Sequence, residues 1–143
     1  MEHLGVVRVG PLLAIRRGPG AGCEGRIGPD AALSHAPSAF TSPMAAWEAI
    51  IILSRPDQLH CRYTEAEAAV VEWLDARGIE LREAPSPREV LSFAVDVAEK
   101  HGIDRRALSN FDCFHYAHAK ASGAPLLTPD RLLRQTDVMA ALR

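Results

Sequence analysis

From residue 37 onward, apolar positions recur in blocks that open behind hydroxyl side chains. Ser42-Pro43, Thr64 with Glu67, Ser86-Pro87 with Glu89, and Ser109 with Asp112 each set a hydroxyl ahead of an apolar run, three of them with an acid at the third helical position. Such a hydroxyl accepts from the orphan N–H groups of a first helical turn, proline fits the first helical residue, and the acid returns a bond to the cap's own N–H. The pattern predicts helices over about 43–54, 65–77, 87–101 and 110–121, the last two closed by Gly102 and Gly123. In the third, Val90, Ala94, Val97 and Ala98 form one apolar stripe expected to face a sheet.

Between these helices lie short strand-like segments, Ser38-Ala39-Phe40-Thr41, Ile79-Glu80-Leu81-Arg82 and Pro125-Leu126-Leu127-Thr128. Strands alternating with helices predict an α/β fold with a mainly parallel central sheet flanked by helices on both faces. The second strand alternates apolar and charged residues and belongs at an edge, whereas Leu126-Leu127 reads as more central. Ahead of residue 37 the texture differs. Val6-Val7-Arg8-Val9 suits a strand and Leu12-Leu13-Ala14-Ile15 a short helix, while seven of the ten glycines fall in the first thirty residues and leave 16–25 as loop.

Composition sets the bounds. With 143 residues and 48% hydrophobic content, the chain fits one domain over 1–143, atypical over 1–36. A net charge of −2 gives no overall basic face, so contact with nucleic acid must be local or bridged by cations. Cys23, Cys61 and Cys113 are odd in number and lack a CxxC pair, which argues against a disulfide framework and a thiolate zinc site and points to a reducing cytoplasm. The apolar stretches are too short for a membrane span, so no membrane association is expected.

Within the predicted elements, three carboxylates stand out. Glu48 is the one charge in Met44-Ala45-Ala46-Trp47-Glu48-Ala49-Ile50-Ile51-Ile52-Leu53, a helix apolar enough to be largely buried, so its carboxylate needs a cation or several donors. A buried ion pair with Arg55 or Arg77 would suffice. Asp112 opens another mostly apolar helix and also serves as the acid of a capping box with Ser109; Asp130 follows Leu126-Leu127-Thr128-Pro129 and suits the first turn of a helix. In an open parallel sheet, however, the loops and helix starts beyond the strand carboxyl ends gather in one crevice. Three acids there repel one another until divalent cations relieve them. Carboxylate oxygens suit Mg²⁺ or Mn²⁺, whose natural chemistry is hydrolysis of a phosphodiester backbone.

The run Ala107-Leu108-Ser109-Asn110-Phe111-Asp112-Cys113-Phe114-His115-Tyr116-Ala117-His118-Ala119-Lys120, continuing through Gly123 and Leu126-Leu127 to Asp130, strongly resembles the PIN-domain VapC toxins. Ser42-Pro43-Met44-Ala45-Ala46-Trp47-Glu48 resembles the second motif of that family, and together the two cover about residues 37–138. The resemblance implies a metal-dependent endoribonuclease in which Glu48, Asp112 and Asp130 bind Mg²⁺ or Mn²⁺, with Asp137 a weaker fourth candidate. It also implies a small VapB-like antitoxin as partner, an RNA substrate and a homodimer. The departure lies at the N-terminus, where Arg8 stands in place of the family's first aspartate. A guanidinium cannot ligate a metal. Either residues 1–25 reflect a shifted reading frame, or the site is degenerate and the chain is an inactive PIN-type module that binds antitoxin or RNA without cleavage.

Other signals carry less. His115 and His118 follow Asp112 at i+3 and i+6, too far around a helix for one shared metal site, and are expected to be solvated or packing residues. Cys113 reads as a small buried thiol, Trp47 and Trp73 as core or dimer-packing residues, and Arg131 and Arg134 as solvated helix charges.

Overall fold

The computed structural model describes residues 6–7, 14–15, 27–28, 39–103, 107–128 and 131–138. Within them, strands β1 (Val6–Val7), β2 (Ala14–Ile15), β3 (Ile27–Gly28) and β4 (Phe40–Thr41) are followed by helices α1 (Pro43–Ser54) and α2 (Tyr63–Ala76). Strand β5 (Glu80–Leu81), helices α3 (Pro87–His101) and α4 (Asn110–Ala121), strand β6 (Leu126–Leu127) and a 3₁₀ turn at Leu133–Gln135 complete the order.

The main sheet is parallel, in the order β5-β4-β1-β6, with Val6 in register with both Phe40 and Leu126. As the alternating pattern predicted, β5 lies at an edge. The expectation for β6 needs correction, because it forms the other edge among the described residues. Leu126 is nonetheless 1% exposed: an apolar run reports that helices cover a strand, not that hydrogen bonds flank it on both sides. The short helix expected at 12–15 is not found either. Ala14 and Ile15 pair antiparallel with Gly28 and Ile27 in a separate two-stranded sheet, a conformation that suits branched Ile15; Leu12 and Leu13 lie outside the described residues.

Successive residues of a strand point to opposite faces of its sheet. Accordingly Ala39 joins one apolar cluster with Ala49 and Leu53 of α1 and Val70, Trp73 and Leu74 of α2. Phe40 joins a second, with Val97 of α3, Ala117 and Ala119 of α4, and Leu126. Helices therefore cover both faces, which places the chain in the α/β class with a parallel sheet. The α3 stripe packs chiefly on α4 rather than on the sheet.

Three of the four helices keep their predicted bounds because their caps form as read. Ser42, Ser86 and Ser109 each accept from the N–H three residues on, at 3.1, 3.3 and 3.1 Å. The second helix begins earlier than the Thr64–Glu67 signal suggested: Glu65 accepts from the Arg62 N–H at 3.0 Å, so the box closes two residues upstream. Gly102 and Gly123 have φ of 75° and 61°, the left-handed backbone that favours glycine just past a helix. Removing one hydroxyl cap should show in stability. Ser109→Ala is expected to cost about 1 kcal/mol, lowering the melting temperature by roughly 2 to 4 °C in calorimetry.

Two further readings change. Trp73 is buried and carries Arg77 over its ring at 4.4 Å, whereas Trp47 is 46% exposed and tilts against Tyr63 at 5.8 Å, so it is not a core residue. Cys113 is a free buried thiol as expected, but Cys61 is disulfide-bonded, against the reading of a chain without disulfides. No helix among the described residues is long and apolar enough to cross a membrane.

Candidate active site

Helix α1 starts one residue after β4 because Ser42 caps it and Pro43 supplies its first residue. That start leaves Glu48 in the second turn, flanked by Ala45 and Ala49, both wholly enclosed; Glu48 itself is 7% exposed. A partner of this carboxylate among the described residues is His115 of α4, whose Nε2 lies 2.6 Å from Glu48 Oε2. An ionised carboxylate only accepts, so the imidazole is assigned as donor. The expectation of Arg55 or Arg77 is corrected to this extent: Arg77 instead lies over Trp73 and donates from Nη1 to its carbonyl at 3.2 Å.

Asp112 occupies the first turn of α4, 4% exposed. Its capping box forms in full: Oδ2 accepts from the Ser109 N–H at 2.9 Å while the Asp112 N–H donates to Ser109 Oγ at 3.1 Å. One turn on, His115 lies on the same helical face as Asp112. The Glu48–His115 bond thus ties Glu48 to α4 one helical turn from Asp112. The ring of His115 is wholly enclosed and stacks on Phe111 at 6.4 Å and 21°, which sets its plane.

Two buried oxygen donors of this kind suit a hard divalent cation. By themselves they do not complete a site, since no group of three His, Cys, Asp or Glu side chains that could hold a metal occurs among the described residues. Asp130, the third carboxylate of the expected set, and Arg8 lie outside the described residues. β1, which ends immediately before Arg8, sits between β4 and β6. A largely apolar groove is lined by Met44, Ala84, Leu91, Phe114 and His118, with Phe114 37% exposed.

Asp137 is held by two side chains of α4. It accepts from Tyr116 Oη at 2.5 Å and pairs with Lys120 Nζ. Lys120 foremost, then Tyr116, holds its carboxyl down at about 2, while burial and the Asp137 bond push the Tyr116 phenol up. Because the carboxyl is depressed in the folded state, its stabilising contribution is present above the ordinary carboxylate range and lost as pH falls from about 4 towards about 2. Half-exposed side chains screen such a pair, so Asp137→Asn is expected to cost under about 1 kcal/mol at neutral pH. In paired melts of wild type and variant, that difference should shrink as the pH is lowered to about 2.

The remaining polar groups are structural. His118, expected to be solvated or packing, is buried; its Nε2 donates to the Arg82 carbonyl at 3.1 Å, and burial pushes its pKa down. Burial likewise pushes the Cys113 thiol up, which argues against a nucleophile. Arg134 donates from Nε to the Thr128 carbonyl at 3.3 Å, tying the 3₁₀ turn to the end of β6. The residue that the sequence reading missed is His115. The signal was available, because Glu48 and His115 are both polar intrusions in apolar helices and each needs a buried partner.

Compared with known proteins, the chain matches the PIN domain family model over residues 24–139, a span that takes in all four helices, Glu48, Asp112, Asp130 and Asp137. The segment holding β1 and Arg8 precedes it. No curated protein sequence matches. PIN domains are generally nucleases that use divalent metal ions. On the extent of that match and the parallel α/β sheet beneath it, the chain belongs to the PIN domain family.

Proposed function

We propose that this chain is an endoribonuclease of the VapC type, hydrolysing RNA phosphodiester bonds at a centre formed by Glu48, Asp112 and Asp130. The observation that carries the reading is a pair of buried carboxylates, Glu48 and Asp112, the first bonded to His115 one helical turn from the second, in a chain of the PIN family. Carboxylates are rarely buried without a compensating charge, and these have the donor chemistry of a Mg²⁺ or Mn²⁺ site. When bound there, such a cation supplies Lewis acidity to the phosphodiester oxygens. Within this reading Glu48 and Asp112 hold negative charge in a desolvated place, and the capping bonds from Ser109 fix the orientation of Asp112. Phe114 and Met44 offer an apolar wall on which an unpaired base of single-stranded RNA stacks. Asp137, bonded to Lys120 and Tyr116, is the weaker candidate for a fourth ligand.

The resemblance to VapC toxins supports the rest of the proposal: one domain over 1–143, a VapB-like antitoxin that covers the acidic groove, a homodimer, and action in the cytoplasm. A second reading is favoured by one specific observation, Arg8 directly after the central strand β1. In it the chain is an inactive PIN-type module that binds antitoxin or RNA. The two readings part on Arg8→Asp. Incubated with end-labelled single-stranded RNA and Mn²⁺, wild type should already cut if the first reading holds; cutting by Arg8→Asp alone would establish the second.

A further inference from the structure

Resting on the metal-site reading above, we infer that His115 is a positioning residue for that site, its imidazole fixing the Glu48 carboxylate in the orientation that receives the cation. The starting point is where its two nitrogens lie. Nε2 lies 2.6 Å from Glu48 Oε2, and Nδ1 is buried without a hydrogen-bond partner among the described residues. All of the polar reach of this enclosed ring is therefore directed at one carboxylate oxygen. A histidine kept only to fill space would do so at the cost of two buried polar atoms, a role an apolar residue serves better.

The ring is also held rigidly. Phe111 stacks against it, and it has no solvent exposure in which to turn. The donor is thus fixed in place before any ligand arrives, while Glu48 sits on a different helix with rotatable bonds of its own. A carboxylate offers about four acceptor positions, of which the imidazole takes one. That bond contributes to the orientation of the carboxylate in the way that outer hydrogen bonds orient metal-ligating side chains generally.

The placement on α4 adds a second consequence. Asp112 and His115 are one turn apart on the same helix, so a single rigid element carries one proposed ligand and the group that aims the other. The geometry of the pair is then set by how α4 packs against α1, not by two independent loops.

The test is Mn²⁺ binding by the full chain, read as free Mn²⁺ by electron paramagnetic resonance, together with metal-free melting curves. Loss of an outer-shell partner typically weakens metal affinity by about 10- to 100-fold, and that is the loss expected for His115→Ala. His115→Gln places an amide N–H near the position of Nε2 and is expected to bind Mn²⁺ within about threefold of wild type on this account. Should His115→Ala fail to fold, the glutamine variant decides the matter alone. Unchanged affinity in His115→Ala, or a folded His115→Gln that binds 10-fold or more weaker than wild type, overturns the inference while leaving the metal site standing. A wild-type chain that binds no Mn²⁺ overturns the metal-site reading itself, and the positioning role with it.

Discussion

Asp112→Asn is expected to lower metal-dependent RNA cleavage by about a thousandfold while leaving the protein folded. The magnitude follows from removing one anionic oxygen ligand from a site whose charge stabilisation amounts to several kcal/mol, at roughly 1.4 kcal/mol per factor of ten. The reason for choosing asparagine lies in the capping box. Asp112 Oδ2 accepts from the Ser109 N–H, and an asparagine carbonyl oxygen can accept the same bond, so the start of α4 retains its cap. Cleavage assays and melting curves on the same preparation separate the two roles. A large fall in rate with a melting temperature within a few degrees of wild type is the expected result; equal losses in both would show that Asp112 acts only as a cap.

Glu48 should behave differently, because its carboxylate is bonded to an enclosed ring. Glu48→Ala removes the partner of His115 Nε2 and leaves both imidazole nitrogens without a hydrogen bond among the described residues. Stranding a buried donor in this way costs about 2 to 3 kcal/mol, which in a domain of this size lowers the melting temperature by roughly 4 to 12 °C. Glu48→Gln keeps an amide oxygen to accept from Nε2 and is expected to stay within about 1 kcal/mol of wild type. Both substitutions remove the negative charge, so both should abolish metal-dependent cleavage. The contrast to measure is therefore between two inactive variants, only one of which is destabilised. If the glutamine variant melts as low as the alanine variant, an ion pair rather than a hydrogen bond holds the junction together.

The helical half of the fold was legible in the sequence because its signals are local. Ser42, Ser86 and Ser109 each satisfy backbone donors within three residues, so their caps could be read directly and the helix starts coincide with the prediction. The sheet was less legible. Among the described residues each strand of the main sheet is two residues long, and in so short a segment an apolar residue such as Leu126 records burial but not neighbours, hence the misplacement of β6 towards the centre. Leu12-Leu13-Ala14-Ile15 was misread for a related reason: four apolar residues fit either period, and pairing with Ile27 and Gly28, more than ten residues away, decides the outcome at Ala14 and Ile15.

At the site, the sequence identified Glu48 and Asp112 from their improbable placement in apolar helices, but among partners for Glu48 it named Arg55 and Arg77 and not His115. Charge complementarity pointed to arginine. The structure supplies a histidine 67 residues away, since α1 and α4 pack together and side chains of moderate length meet there. Pattern alone could show that Glu48 and His115 each needed a partner, whereas their being partners of each other depends on helix packing. The same holds for Asp137, whose bonds to Tyr116 and Lys120 join the segment after the 3₁₀ turn to α4.

The central claim is tested most directly by incubating the purified chain with single-stranded RNA in Mn²⁺ or Mg²⁺, removing the cation with EDTA, and restoring it. The account predicts internal cleavage of the RNA that stops on chelation, returns with added Mn²⁺, and is about a thousandfold slower in Asp112→Asn. Cleavage that persists in EDTA, or a wild-type chain that leaves RNA intact at saturating Mn²⁺, would contradict it.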